Sequence, residues 1–217
     1  LIGIREDIYK KHAKKIEKYG YFPKPTGQAP DPCDVLGDLV DPHWQRNLLT
    51  STYRKEAKSE IQRYFRRKHG SVAGLGEPLT DQEYSNHKPE IIKKFQSMLD
   101  NEGKVPTKFK TRKFAQRLLP KRWGDSGPNI TVASLPDDFV HFSQPRILTV
   151  REWARLQTFP DWYQFTGKRT TGGQRRAGNP DLDNWHRELP KYTQIGNAVP
   201  VLLAKAIGMH IKKITSN

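Results

Sequence analysis

The 217-residue sequence has very little cysteine, since Cys33 is its only one. A lone cysteine excludes an intrachain disulfide and a zinc site built on cysteines. The seven histidines are scattered and lack the spacing of metal ligands, so we expect no metal site. Scarce cysteine is typical of reducing compartments, and we expect a cytoplasmic location.

Long apolar runs and acidic residues are also scarce. No run of eighteen or more apolar residues occurs, which argues against a membrane span, and the first residues lack the basic leader of a signal peptide. Only 23 Asp and Glu oppose 38 Lys and Arg, so the formal net charge is +15. This imbalance predicts a polyanionic partner, and a nucleic acid fits better than a membrane surface.

The positive charge is concentrated in two stretches. Residues 44–70 carry eight basic and two acidic side chains, and residues 88–122 carry eleven and three. Such stretches suit contacts with phosphates, which give affinity without choosing a sequence.

Apolar spacing predicts a mixture of helices and short strands. We expect helices over residues 8–19, 52–69 and 89–99, the first ended by Gly20, and strands over 130–135 and 139–142. Leu1 to Ile4 indicates the end of a buried strand. A final helix opens at Pro200, with one apolar face made of Leu203, Ile207, Ile211 and Ile214.

A helix is also predicted after Thr149. Thr149 and Glu152 have the spacing of a capping box, and Pro160 is expected to stop the helix. A long loop follows over residues 166–190, rich in Gly, Thr, Arg and Asn. The apolar stripe of the helix consists of Val150, Trp153, Leu156 and Phe159.

Two stretches resemble known sequence blocks. Residues 146–161 (RILTVREWARLQTFPD) and 194–200 (QIGNAVP) are similar to the ninth and tenth conserved blocks of the cytosine-5 DNA methyltransferases, in the right order. Residues 1–7 (LIGIRED) resemble the end of the eighth block. The chain is therefore identified as the C-terminal part of a member of that family.

The resemblance implies an α+β architecture in three segments. Residues 1–19 would be the end of a catalytic-domain strand and the helix that follows it. Residues 20–145 would form an irregular, basic target-recognition domain. Residues 146–217 would return to the catalytic domain and complete the C-terminal piece of an α/β S-adenosylmethionine-dependent methyltransferase fold.

The resemblance also implies that the catalytic residues lie elsewhere. In the family a cysteine thiolate in a Pro-Cys-Gln loop adds to C6 of a flipped cytosine, and C5 then takes the methyl group from S-adenosylmethionine. That loop precedes the eighth block. Cys33, in Pro32-Cys33-Asp34, follows the block, so we expect a small buried or loop cysteine and no catalytic residue here.

By resemblance the tenth block reaches the cofactor. Asn197 and Ala198 would approach the methionine part of S-adenosylmethionine, whereas from the residues alone Asn197 would only cap the last helix. The ninth block would be scaffolding. Its Trp153, Leu156 and Phe159 would be core residues, and Arg151, Glu152 and Arg155 would form a buried polar network or surface ion pairs.

The expected partner is double-stranded DNA. Thr131, in Asn129-Ile130-Thr131-Val132, looks like the first residue of the Thr-Leu or Thr-Ile pair that recognition regions place against the target, with Val in the second position. For any single basic residue a solvated surface charge is the alternative to a phosphate contact. The candidates for phosphate contacts are Arg112, Lys113, Lys121, Arg122, Lys168, Arg169, Arg175 and Arg176.

Two alternatives stay open at this point. The N-terminal catalytic half is expected either in cis, in which case this is a trimmed chain, or as a separate subunit, and a start at Leu1 without Met favours the former. A rival from another class is a free-standing, sequence-specific DNA-binding module without a role in methylation.

Overall fold

The computed structural model describes residues 3–109, 116–124, 138–170 and 189–216, with all side chains in these ranges except those of residues 46, 47 and 108. The contacts divide the chain into one unit of Leu1–Gln28 with Val199–Asn217 and a second unit of Ala29–Ala198. The domain boundaries expected after residues 19 and 145 stay a prediction. Helices alternate with a few short strands, which agrees with the α+β class.

The helices of the described residues are, in chain order, α1 (Glu6–Tyr19), α2 (Pro32–Leu36), α3 (Trp44–Asn47), α4 (Glu60–Arg66), α5 (Pro89–Asp100), α6 (Val150–Leu156), α7 (Lys191–Asn197) and α8 (Val201–Thr215). Single 3₁₀ turns cover Gly37–Leu39 and Thr107–Phe109. The strands are β1 (Arg67–Lys68), β2 (Ser71–Val72), β3 (Arg117–Leu118) and β4 (Phe139–Val140). None of the helices in these ranges is both long and apolar enough to cross a membrane.

Three of the predicted helices are confirmed. α1 begins two residues before the expected position and ends at Gly20, whose φ of 76° suits a residue without a Cβ. α5 covers the predicted 89–99 segment, with Pro89 in its first turn. α8 follows Pro200 as expected. This proline is the N-cap residue of α8, and its own backbone is not helical.

The helix expected over residues 52–69 is wrong for most of its length. Only α4 forms, because Ser59 and Gln62 make a capping box that fixes its first turn. Before Ser59 the backbone bonds to another segment instead: the Tyr53 N–H donates to the Glu77 carbonyl, and the Leu79 N–H donates to the Ser51 carbonyl. After α4 the chain turns into the β1–β2 hairpin.

The strand expected over 139–142 is confirmed only as β4, which pairs with β3 in parallel. Its Val140 belongs to a core cluster with Phe95, Met98 and Ile147, so α5 and β4 share one apolar interior. The strand expected over 130–135 lies outside the described residues, and so do residues 171–188 of the expected loop. Residues 166–170 have no regular structure, in agreement with a loop.

α6 ends at Leu156, four residues before Pro160, so the expected role of that proline as the stop is wrong. Thr158 adopts a positive φ of 59°, and the Phe159 N–H turns back to the Ala154 carbonyl. This left-handed residue ends the helix before the proline is reached.

In the first unit, α1 packs against α8. Ile16 and Ile214 are buried between them, and the His210 ring bonds the Gly20 carbonyl at 2.8 Å. The apolar face expected on α8 is buried only at Ile214, whereas Leu203 is 48% exposed. Gly3 and Ile4 are not in a strand, because the described part of this unit offers no strand to pair with them; residues 1 and 2 are outside it.

Candidate functional site

The second unit is organised around α6. As predicted, a capping box begins this helix: the Thr149 hydroxyl accepts a bond from the Glu152 N–H at 3.1 Å, and the Glu152 carboxylate accepts one from the Thr149 N–H at 2.9 Å. Trp153 and Phe159 are buried core residues as expected, while Leu156 is half-buried. All of residues 150–155 are buried, so the charges on this helix must find partners inside the protein.

Arg155 lies between two aspartates. Its guanidinium donates to both oxygens of Asp161, at 3.0 and 2.6 Å, and to both oxygens of Asp38, at 2.5 and 3.2 Å. A fifth bond reaches the carbonyl of Val35 at 2.9 Å. Burial raises the pKa of Asp161, but the charge and hydrogen bonds of Arg155 lower it by more, so this carboxylate stays ionised.

Asp38 is shared with a second buried arginine. Arg66, the last residue of α4, donates to Asp38 at 2.9 and 2.6 Å and to the Lys55 carbonyl at 2.7 Å. Its guanidinium carbon lies 3.8 Å from the centre of the Tyr53 ring, and the Tyr53 hydroxyl donates to Asp161 at 2.7 Å. Two arginines, two aspartates and a tyrosine therefore form one closed set of contacts, which we call the arginine–aspartate cluster.

Arg151 extends from the other side of α6. It donates to the Thr80 hydroxyl and the Asp81 carboxylate, at 2.9 and 3.2 Å, and its own N–H donates to the Asp81 carbonyl. The second oxygen of Asp81 accepts a bond from Lys191 of α7 at 2.7 Å. Asp81 thus joins α6 and α7 to the segment before α5.

Glu152 is the centre of a third buried group. Arg146 donates to its two oxygens at 2.8 and 2.7 Å, and the Gln82 amide donates at 3.2 Å. The Thr149 hydroxyl donates to the carbonyl oxygen of the same Gln82 side chain at 2.7 Å. Burial raises the pKa of Glu152, but the charge and hydrogen bonds of Arg146 outweigh that effect and lower it to about 2.

His141 is a neutral neighbour of this group. Its Nδ1 accepts a bond from the Ser143 N–H at 3.1 Å, which places the ring proton on Nε2. Nε2 is 3.8 Å from Glu152 and has no hydrogen-bond partner within the described residues. Burial and the charge of Arg146 lower the pKa of His141 to about 3, so the ring is uncharged at neutral pH.

Arg151, Glu152 and Arg155 are all buried, which confirms the prediction of a buried polar network. The alternative prediction, that they form ion pairs at the surface, is wrong. The network joins the ninth-block segment to distant parts of the unit, since Asp38 is 117 residues from Arg155. A buried charge that loses its partner strongly destabilises the folded protein. The network therefore holds the ninth-block segment and the segments that it contacts in place.

The predicted phosphate-contacting residues are described in two places. Lys121 and Arg122 are exposed next to α2, where the Lys121 carbonyl accepts a bond from the Cys33 N–H. Lys168 is exposed and its carbonyl accepts a bond from the Lys191 N–H, while Arg169 is half-buried and donates to the Glu83 carbonyl at 3.4 Å. No described contact joins these two pairs. Thr131, Arg112, Lys113, Arg175 and Arg176 lie outside the described residues.

Asn197 is the last residue of α7, and Ala198 follows it in an extended conformation. Asn197 is exposed, and its side-chain amide has no hydrogen-bond partner in the described ranges. It does not cap the last helix, whose N-cap is Pro200. The amide is therefore free to bind a ligand.

Cys33 lies in the first turn of α2 and is half-buried. Carboxylate oxygens of Asp31 and Asp34 lie within 4.8 Å of its sulfur. Thiolates are favoured by neighbouring cations, so these two aspartates are the wrong surroundings for a nucleophile.

Sequence reasoning missed most of the buried partners. It did not connect Asp38 with any arginine, and it treated Arg66 as one charge in a basic stretch. The available signal was the ninth-block segment itself, where Arg151, Glu152 and Arg155 alternate with apolar residues. Charges on a helix without a polar face require buried partners.

Comparison with known proteins gives a consistent result. Residues 1–213 match the family model described as C-5 cytosine-specific DNA methylase. The chain is 28% identical over 204 residues to the type II methyltransferase M.XorII of Xanthomonas oryzae, covering 88% of this chain and 42% of that protein. It is 46% identical over 79 residues to M.DdeI of Desulfomicrobium norvegicum, covering 36% of this chain and 16% of that protein. The chain thus spans less than half the length of either relative.

A shorter relative and a solved structure complete the comparison. M.AquIB of Picosynechococcus is 31% identical over 139 residues, which cover 62% of this chain and 88% of M.AquIB. A crystal structure assigned as a DNA modification methyltransferase encoded within an E. coli prophage has a TM-score of 0.58 at 18% identity, covering 92% of this chain and 51% of that one. This likeness concerns the fold.

Proposed function

This chain belongs to the C-5 cytosine-specific DNA methylase family, and on that premise we propose that it reads the DNA sequence and completes the cofactor pocket of an enzyme that methylates C5 of cytosine with S-adenosylmethionine. The buried charge network carries the proposal. It attaches residues 35–82, which fall in the expected recognition region, rigidly to the ninth-block segment. A reading surface needs such a rigid support.

The charge of the chain supports a DNA partner. At +15 the chain attracts phosphates, and Lys121, Arg122 and Lys168 are exposed on its surface. Thr131, Arg112, Lys113, Arg175 and Arg176 remain proposed contacts from the resemblance alone.

Asn197 and Ala198 are the proposed contribution to the cofactor pocket. The exposed amide of Asn197 offers both a donor and an acceptor, which suits the carboxylate and ammonium of the methionine part of S-adenosylmethionine. The cofactor supplies the methyl group. The role of these two residues is to bind and orient it.

The nucleophile is proposed to lie in the catalytic half, in cis or in a separate subunit, because Cys33 lies among carboxylates. M.AquIB shows that a family member consists mostly of the portion matched here, since 88% of its length aligns with this chain. A separate catalytic subunit is thus compatible with the family.

Complementation tests this function. The chain is mixed with a catalytic half from the family, and transfer of labelled methyl groups from S-adenosylmethionine to DNA is measured. We expect transfer only when both parts are present, and a weaker apparent affinity for the cofactor with Asn197→Ala. If no catalytic half restores transfer, while the chain alone binds one DNA sequence tightly, a free-standing DNA-binding module is the better account.

A further inference from the structure

The β1–β2 hairpin, residues 67–72, is exposed and carries the positive charges of Arg67 and Lys68. Arg67 pairs with Val72 and Lys68 pairs with Ser71, and both strands are exposed along their whole length. Its turn uses His69 and Gly70, whose φ angles of 50° and 90° are both positive, as tight hairpin turns require. From residue 67 to residue 76 the sequence contains no acidic side chain.

The base of this hairpin is held by the arginine–aspartate cluster. The Arg66 carbonyl accepts a bond from the Ala73 N–H at 3.2 Å, and the Arg66 guanidinium donates to the Ala73 carbonyl at 3.4 Å. The same guanidinium is fully buried on Asp38 and lies over the ring of Tyr53. The base of the exposed hairpin is therefore held in place. A preorganised element loses little conformational entropy when it binds a partner.

Part of the hairpin borders a cavity. Lys68, His69 and Ser71 line a cavity of about 360 Å³ together with Trp162 and Gln164. Trp162 is 51% exposed. The side chains of Lys68 and His69 have no hydrogen bond or ion pair in the described ranges, so their donors can bind a ligand.

We propose that this hairpin enters the major groove of double-stranded DNA and that Lys68 and His69 contact base edges there. The inference rests on the proposed function and names the element that reads the sequence. The major groove admits a two-stranded ribbon, and lysine donates to the O6 and N7 atoms of guanine. The cavity gives Lys68 and His69 open space beside the body of the unit, and Gly70 has no neighbour within 4 Å of its missing Cβ, so the tip can approach a base closely.

The test compares variants by selection from a pool of DNA duplexes with a randomised core. The variants are Lys68→Ala, His69→Gly and the control Lys14→Ala, an exposed lysine on α1. Glycine is chosen at position 69 because it tolerates the positive φ. All three residues are exposed, so thermal unfolding should be unchanged, and this is measured for each variant.

We expect wild type and Lys14→Ala to enrich the same sequence. Lys68→Ala and His69→Gly should lose preference at one or two base pairs, with a drop in discrimination of about five- to a hundredfold at those positions. A uniform loss of affinity with an unchanged consensus would identify phosphate contacts and overturn the inference. An unchanged consensus with unchanged affinity would overturn it too. If wild type itself enriches no sequence, the proposed function fails, and the inference fails with it.

Discussion

Replacing Arg155 by methionine removes the charge at the centre of the arginine–aspartate cluster while keeping most of the side-chain volume. The substitution deletes five hydrogen bonds, four of them to the carboxylates of Asp38 and Asp161. Breaking a buried ion pair by removing one partner costs about 3–5 kcal/mol. Asp38 keeps its bonds to Arg66, and Asp161 keeps its bond to Tyr53, so we expect a loss near the lower end of that range.

The measurement is the free energy of unfolding in urea, followed by tryptophan fluorescence. Arg63→Met is the control, since the half-buried Arg63 pairs at the surface with the exposed Glu60 at 2.6 Å, and surface pairs contribute below about 1 kcal/mol. If Arg155→Met and the control differ by less than about 1 kcal/mol, the cluster is not the support that we describe.

A milder variant keeps the test informative if Arg155→Met does not fold. Tyr53→Phe removes one buried hydroxyl from Asp161 and leaves the ring under Arg66. The expected loss is about 1–2 kcal/mol. No measurable loss would show that Asp161 does not depend on this contact.

Three further predictions concern acid stability, the capping box and the cofactor. As the pH falls below 6.5, His141 becomes protonated in the unfolded chain but not in the folded one, where its pKa is about 3. Below pH 4.5 the same applies to Glu152, whose folded-state pKa is about 2, so each group should lower the free energy of unfolding by up to ~1.4 kcal/mol per pH unit. Urea titrations of wild type should therefore show a steeper loss of stability between pH 6.5 and 4.5 than those of His141→Gln. Thr149→Ala removes the cap of α6 and a bond to Gln82, and should cost about 1–2 kcal/mol in the same urea assay. Asn197→Ala should leave the unfolding midpoint unchanged, because the side chain is exposed, yet raise the KM for S-adenosylmethionine in the completed enzyme; an unchanged KM would refute its cofactor role.

Local signals in the sequence predicted local structure well. The capping box at Thr149, the proline at the start of α5 and the glycine after α1 each act within one or two turns, and all three are found where expected. The helix over 52–69 failed because the backbone at residues 51–53 bonds to residues 76–79, a competition that periodicity cannot register.

The candidate site was predictable only in part. A buried polar network on α6 follows from charges on a helix with no polar face, but its partners are set by tertiary packing. Asp38 is 28 residues from Arg66 and 117 from Arg155, and no spacing rule connects positions so far apart. The hairpin after α4 was not predicted, since two-residue strands carry no periodic signal.

On the proposed function, this chain chooses the DNA sequence that the completed enzyme methylates. The direct measurement determines the sequence enriched by the chain alone from a randomised duplex pool, and maps the methylated cytosines after a catalytic half is added. We expect the methylated cytosine to lie within the enriched sequence, and we expect the hairpin variants to change both in the same way. Methylation at sites unrelated to the enriched sequence would contradict this expectation.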